Sequence, residues 1–317
     1  MSISKTTNTY AGEFAGKYIS AALLTADTID GGGIEVIPNV RHKQVVRTLN
    51  TDSIVYDASC DFQTGQGTIT LDERIIQPKE LQVNLDLCAT SLTDTWEAAQ
   101  MGYSAHKDLP TEFSDFLIGH VAAKVAQKTE QTIWEGDDTA NNGEFDGLTT
   151  LLAADTTLPS GQDIVGQTLT ASNILAEMRS VVQNIPSAVY GQEDLHLYIS
   201  SKAFKLYLEA LSGYGASGLG ANGVNNMGPM FYTPNETAIS IDGVKIFVAR
   251  GLADNAMVAA QKSNLYFGTG LLNDAQTVSV LNMREIDGSQ NFRIVMRYTA
   301  GVQYGTTADI TAYGLGL

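Results

Sequence analysis

The chain has 317 residues, long enough for one large domain or two smaller ones with substantial cores. Hydrophobic residues make up 44% and charged residues 17%, which excludes disorder over the whole chain. The formal charge of −16 argues against phosphate-contacting nucleic-acid binding, because neutralising phosphates supplies most such affinity; a wall that encloses DNA without sticking to it remains compatible.

No apolar run approaches the roughly 18 to 20 residues of a membrane-spanning helix. The N-terminus carries only Lys5 before Tyr10, and residues 21–24 are too short for the apolar core of a secretion signal, so folding in a cytoplasm is expected. Cys60 and Cys88 are the only cysteines, too few for a disulfide scaffold or an all-cysteine zinc site.

Residues 1–9 are polar. Phe14, Ala15, Tyr18, Ile19, Ala22 and Leu23 then recur at helical spacing until Gly31, Gly32 and Gly33 break the pattern. This predicts an arm with a short amphipathic helix that has no core of its own. Residues 1–33 are therefore expected to contribute mainly to contacts between subunits.

From residue 54 the period changes to two. Ile54, Tyr56, Ala58, Cys60 and Phe62 alternate, a glycine-containing turn follows, and Ile69 and Leu71 resume the alternation. The pattern predicts a long β-hairpin with strands at 54–62 and 68–76. After Pro78 a further strand places Leu81, Val83, Leu85 and Leu87 on one face and Gln82, Asn84 and Asp86 on the other.

Pro110 opens the longest helical pattern, with Phe113, Leu117, Val121, Val125 and Ile133 along one ridge and Gly136 as its stop. At 1.5 Å per residue this helix would extend about 39 Å. A second helix is marked by Ile174, Leu175, Met178, Val181, Val182 and Ile185 before Pro186. A strand at 195–199 leads to Ser200, placed to cap a third helix whose apolar face is Ala203, Phe204, Tyr207, Leu208 and Leu211.

Residues 213–228 form a glycine-rich loop. Asp242-Gly243 between two short apolar runs is a strong two-residue hairpin signal. Strands at 278–283 and 292–298 join through Asp287-Gly288, and residues 307–313 alternate again.

Little in the chain points to chemistry. Gly213, Gly215 and Gly218 match the letters of a dinucleotide fingerprint, but they follow a helix and open more loop, where the motif needs a strand before it and a helix after it. Asn142-Gly143 suggests a calcium loop, yet Ala140 and Thr149 stand where oxygen ligands belong. His42, His106, His120 and His196 are scattered and read as packed or surface residues, and Trp96 and Trp134 as core or interface anchors. No catalytic, cofactor-binding or metal-ligating residues are assigned, and no cofactor is expected.

This order of elements resembles the Hong Kong 97 family of tailed-phage major capsid proteins over nearly the whole chain. The resemblance is carried by the arm, the long hairpin, the helix from Pro110, and the segment Leu195-His-Leu-Tyr-Ile-Ser-Ser-Lys-Ala-Phe running from strand into helix. Ile241-Asp-Gly-Val-Lys-Ile-Phe-Val carries the later hairpin. It implies an α+β fold with an N-terminal arm at 1–48, an extended hairpin loop at 49–80, and a peripheral domain at 81–151 with its spine helix at 110–135. An axial α/β domain would follow at 152–262, and strands at 263–317 would return to the peripheral domain.

The resemblance also implies function. The chain would self-assemble into hexamers and pentamers that form an icosahedral shell around DNA, made in the host cytoplasm and residing in the virion. Its partners would be itself, a portal, and scaffolding or decoration proteins. The interface residues expected on this reading are Phe14, Tyr18, Ile19 and Leu23 of the arm, with Ile54, Tyr56, Phe62, Ile69 and Leu71 of the hairpin. An encapsulin-like shell around an enzyme cargo is the alternative, and an acidic α/β enzyme is disfavoured by the missing catalytic constellations.

Overall fold

The computed structural model describes residues 27–51, 55, 57, 60, 69–88, 111–212, 239–270, 279–283 and 286–315. In chain order the helices are α1 (Asp27–Asp30), α2 (Thr111–Glu135), α3 (Leu148–Ala154), α4 (Ile174–Gln183) and α5 (Ser201–Ser212). The first strands are β1 (Glu35–Ile37), β2 (Gln44–Thr51), β3 (Ile69–Ile76), β4 (Lys79–Cys88) and β5 (Asp163–Ile164). They are followed by β6 (Leu195–Ile199), β7 (Ser240–Ile241), β8 (Val244–Val248), β9 (Met257–Gln261) and β10 (Leu265–Thr269). The last are β11 (Ser279–Asn282), β12 (Asn291–Tyr304) and β13 (Thr311–Tyr313). Among the described residues, no helix is long and apolar enough to cross a membrane.

Two sheets organise the body. The five-stranded sheet is built around β12, which pairs antiparallel with β4 from Asn291↔Cys88 to Ala300↔Lys79 and also with β10 and β11. Ile294, Met296 and Tyr298 point inward, while Arg293 and Arg297 are exposed. The predicted alternation of β4 holds: Leu81, Val83 and Leu85 join this core, and Gln82, Asn84 and Asp86 are exposed. Val121, Val125 and Ile133 of α2 share that core, so this part of the expected ridge packs on the sheet, while the side chains of Phe113 and Leu117 lie outside those described.

The six-stranded sheet has the order β5-β13-β9-β6-β8-β7. Its central strands are covered on both faces, which is why they read as nearly continuous apolar runs. Leu197, Ile199, Ile246, Val248, Met257 and Ala259 face α4 and α5. Tyr198, Phe247, Val258 and Ala260 face the other way, into the core shared with Trp134 of α2. Trp134 is fully buried, with its ring centroid 5.1 Å from that of Tyr198.

Local signals account for several element boundaries. The Ser200 hydroxyl accepts a hydrogen bond from the Ala203 amide at 3.1 Å, the expected cap of α5. Asp242 and Gly243 have φ of 46° and 84°, the left-handed pair that a tight hairpin demands. β11 and β12 are antiparallel across Asp287-Gly288, as expected. Gly251 is required by close packing, since a Cβ there would lie 2.0 Å from the Glu130 carbonyl oxygen of α2.

Three expectations need correction. The partner of β3 is β2 at Gln44–Thr51, not a strand at 54–62, because the root of the hairpin is fixed by distant contacts that local alternation does not reveal. Residues 27–33 belong to the subunit core rather than to an outward arm: Thr28 is fully buried and Ile34 follows it into the core. The strand at Thr311–Tyr313 does not return to the five-stranded sheet but pairs with β9 and β5, its Tyr313 packing with α4 and α5. The expected arm helix and the glycine-rich loop at 213–228 lie outside the described residues.

Candidate subunit interface

The hairpin of β2 and β3 is a separate two-stranded ribbon. Its register places Val45 opposite Ile75, Arg47 opposite Glu73, Leu49 opposite Leu71, and Thr51 opposite Ile69. Opposed residues in an antiparallel pair share a face, so the side chains of Val45, Arg47, Leu49, Ile69, Leu71, Glu73 and Ile75 lie together. Leu49, Ile69 and Leu71 are 64%, 63% and 65% exposed. Ile75 and Val45 on the same face are also exposed. Arg47 bridges to Glu73 at 3.0 Å across the strands, a solvent-facing pair that adds little stability.

Single surface aliphatics need no explanation, but five on one face of a ribbon do. A two-stranded ribbon is marginal in water by itself, and the outer part of this face, Leu49, Ile69 and Leu71, is mostly exposed in the described subunit. The arrangement offers apolar area for burial against another surface, which is the driving force of most association.

The other face of the ribbon holds it to the body. Ile76 is fully buried, Thr48 lies over Gly305, and Gln303 donates from Nε2 to the Ile75 carbonyl at 3.3 Å. Arg74, on this second face, places Nη2 2.7 Å from Asp155 Oδ2 and donates to Thr157 Oγ1 at 3.3 Å. Its guanidinium also stacks 5.0 Å from the centroid of the Tyr304 ring. The Tyr304 hydroxyl donates to the same Asp155 oxygen at 2.7 Å. Burial alone would raise the Asp155 carboxyl, but donors from Thr157, Tyr304 and Arg74 hold it well below the usual carboxylate range.

A second polar cluster fastens residues 27–33. Glu130, fully buried on α2, accepts from the Thr28 amide at 3.1 Å and from the Thr28 hydroxyl at 2.5 Å. Trp134 Nε1 donates to that hydroxyl at 2.9 Å, and Arg250 pairs with Asp27 at 2.8 Å. Burial pushes the Glu130 carboxyl up even though Thr28 donates to it.

Of the interface residues expected from sequence, the structure brings Ile69 and Leu71 together on the exposed face. Phe14, Tyr18, Ile19, Leu23, Ile54, Tyr56 and Phe62 lie outside the described residues. Sequence reasoning missed Val45, Leu49 and Ile75, although Val45 and Leu49 stand at even spacing and were open to the same period-two reading. Arg74, Asp155 and Tyr304 carried no such signal, since Asp155 and Tyr304 are 149 positions apart. Glu130 did carry one: it precedes Ile133 and Trp134 by three and four positions, on their face of the helix.

Other residues considered for chemistry have structural partners. Asp137 Oδ1 accepts from the Thr139 and Ala140 amides, and Asp138 pairs with Lys79. His196 Nδ1 lies 2.8 Å from the Asp194 carbonyl oxygen, and burial lowers its pKa. Among the described residues no group of three or more His, Cys, Asp or Glu is arranged to hold a metal ion. Cys60 and Cys88 are both exposed and neither forms a disulfide.

No protein-family model and no curated protein matches the sequence. Solved structures do match its fold. The capsid of the native GTA particle aligns over 94% of this chain and 93% of its own, with TM-score 0.64 and 14% identity. The capsid of cyanophage P-SCSP1u covers 95% of this chain and 91% of its own, with TM-score 0.56 and 14% identity. The capsid of the Myoviridae phage XM1 covers 94% of each chain, with TM-score 0.57 and 11% identity. The chain therefore has the α+β fold of tailed-phage capsid proteins across nearly its full length, as the resemblance to the Hong Kong 97 family implied.

Proposed function

We propose that this chain is the major capsid protein of a tailed double-stranded DNA phage, self-assembling into hexamers and pentamers that close as an icosahedral shell. The observation that carries the reading is the exposed apolar face of the hairpin, projecting from a body whose own cores are complete without it. The capsid fold of the solved relatives supports it. On this reading the face is covered by an adjacent subunit, and the function is association rather than catalysis. Each contact is weak alone, and many made together offset the lost translational and rotational freedom.

The shell would form in the host cytoplasm, enclose DNA without sequence-specific contacts, and meet a portal and scaffolding or decoration proteins. The test is expression of the full chain alone, followed by sedimentation and negative-stain microscopy. Capsomers or closed shells are expected. Replacing Leu49 and Leu71 together by Asp should leave the circular dichroism of the subunit unchanged while weakening assembly at least about tenfold in critical concentration, the scale of one buried aliphatic pair. A chain that stays monomeric at every concentration, or a doubly substituted chain that assembles normally, would overturn the reading.

A further inference from the structure

The root of the hairpin is asymmetric. On one side Arg74 is gripped by partners from two other elements: Asp155, the residue that ends α3, and Tyr304, the last residue of β12. On the other side the root borders a cleft of about 370 Å³ whose lining includes Ile75, Pro78, Phe145 and Val302. The strand beyond the grip, Ile69 to Glu73, is exposed at every residue. Arg74 is thus held to the body beside Ile76, and Thr48 of β2 lies against Gly305 further along the ribbon.

We infer that the Arg74–Asp155–Tyr304 cluster is a brace that sets the angle at which the hairpin leaves the body, and that through this angle it governs the uniformity of the assembled shell. This rests on the reading of the hairpin as an intersubunit clamp. A planar guanidinium held edge-on by a carboxylate and face-on by an aromatic ring has its orientation fixed in two directions, which a flexible ammonium does not achieve. The carboxylate is itself fixed by the Thr157 amide at 2.8 Å and the Thr157 hydroxyl at 2.7 Å, so the brace transmits the position of α3 to the ribbon. Without it the ribbon keeps its β pairing and its Ile76 anchor but is free to rock toward the cleft. These are positioning residues, acting through the face that Leu49 and Leu71 present.

The test uses Arg74→Gln and Asp155→Asn, each in the full chain and each also combined with the Leu49→Asp, Leu71→Asp pair so that subunits are compared unassembled. Hydrogen exchange is followed at amides 44–51 and 69–76, with amides 195–199 of the interior sheet as reference. Both variants are expected to lose protection in the hairpin by about tenfold or more while the reference strand is unchanged. Their particles should vary in diameter under the microscope, and Arg74→Lys should fall between. Unchanged hairpin protection would overturn the brace, and equal loss in the reference strand would mark the cluster as general support instead. Uniform particles from a loosened hairpin would overturn its control of the shell. Failure of the Leu49→Asp, Leu71→Asp pair to weaken assembly would count against the clamp alone, and hairpin exchange in Arg74→Gln and Asp155→Asn is then compared with the parent in the same assembled state, which still reads the brace.

Discussion

β6 and β3 are both short apolar-rich strands, and they meet opposite fates. In β6, Leu195, Leu197, Tyr198 and Ile199 are all buried between helices on one side and the long helix on the other. In β3 only Ile76 is buried, and Ile69 and Leu71 stand in solvent. The same side-chain chemistry serves an interior in one case and an exposed face in the other. Strand-forming composition therefore favours burial, whereas the fold around a segment decides whether the subunit provides it.

The comparison can be broken first at the interior. Trp134→Ala removes a fully buried ring and its hydrogen bond to Thr28, and should cost about 3–5 kcal/mol by denaturant unfolding. Gly251→Ala forces a methyl group against the Glu130 carbonyl and should cost about 1–3 kcal/mol, read the same way. By contrast Leu71→Asp on the hairpin should leave unfolding within about 0.5 kcal/mol of the parent, its effect appearing only in sedimentation of assembled material. A large loss of subunit stability in Leu71→Asp would mean that the exposed face is already covered within the subunit.

Two carboxylates sharpen the same contrast through pH. The folded pKa of Glu130 lies above its ordinary value, so the folded state holds that proton more tightly and this contribution falls as pH rises through the raised pKa. The stability of Glu130→Gln relative to the parent should thus be greater at neutral pH than near pH 4. Asp155 runs the other way: its contribution is present above the ordinary carboxylate value and is lost as pH falls through the depressed one. Asp155→Asn should be less stable than the parent at neutral pH, with the gap closing in strong acid. A small effect is also expected of Arg47→Ala, which removes only an exposed pair and should change unfolding by less than about 1 kcal/mol.

What was legible in the sequence follows the range of the interactions involved. The Ser200 cap, the Asp242-Gly243 turn, the alternation of β4 and the ridge of α2 are set by residues within a few positions of one another, and each appeared where expected. The first strand of the hairpin was misplaced because 54–62 alternates as well as Gln44–Thr51 does, and the choice between them is made at Ile76, Gly305 and the Arg74 brace. α3 went unnoticed since Gly147 supplies no side-chain cap and the helix is only seven residues long. β9 was obscured by Ala259 and Ala260, poor strand formers chosen by the tight space between the sheet's two covers. Of the candidate interface, the hairpin's apolar residues were readable as a pattern, whereas the polar groups that orient it were not.

The place of β12 and β13 in the two sheets bears on synthesis. β12 is the strand to which β4, β10 and β11 all pair, and β13 joins β9 to β5 in the other sheet, yet both lie within residues 291–313. A growing chain can pair β6 with β8 and β9 before this segment emerges, but the five-stranded sheet lacks its central strand until then, and β4 waits on a pairing of long sequence separation. Nascent chains arrested before Asn291 should accordingly be cut by protease at residues 79–88 and 265–269, the strands that pair with β12, while those extended past Tyr313 should resist. Completion of the five-stranded sheet is then tied to completion of synthesis.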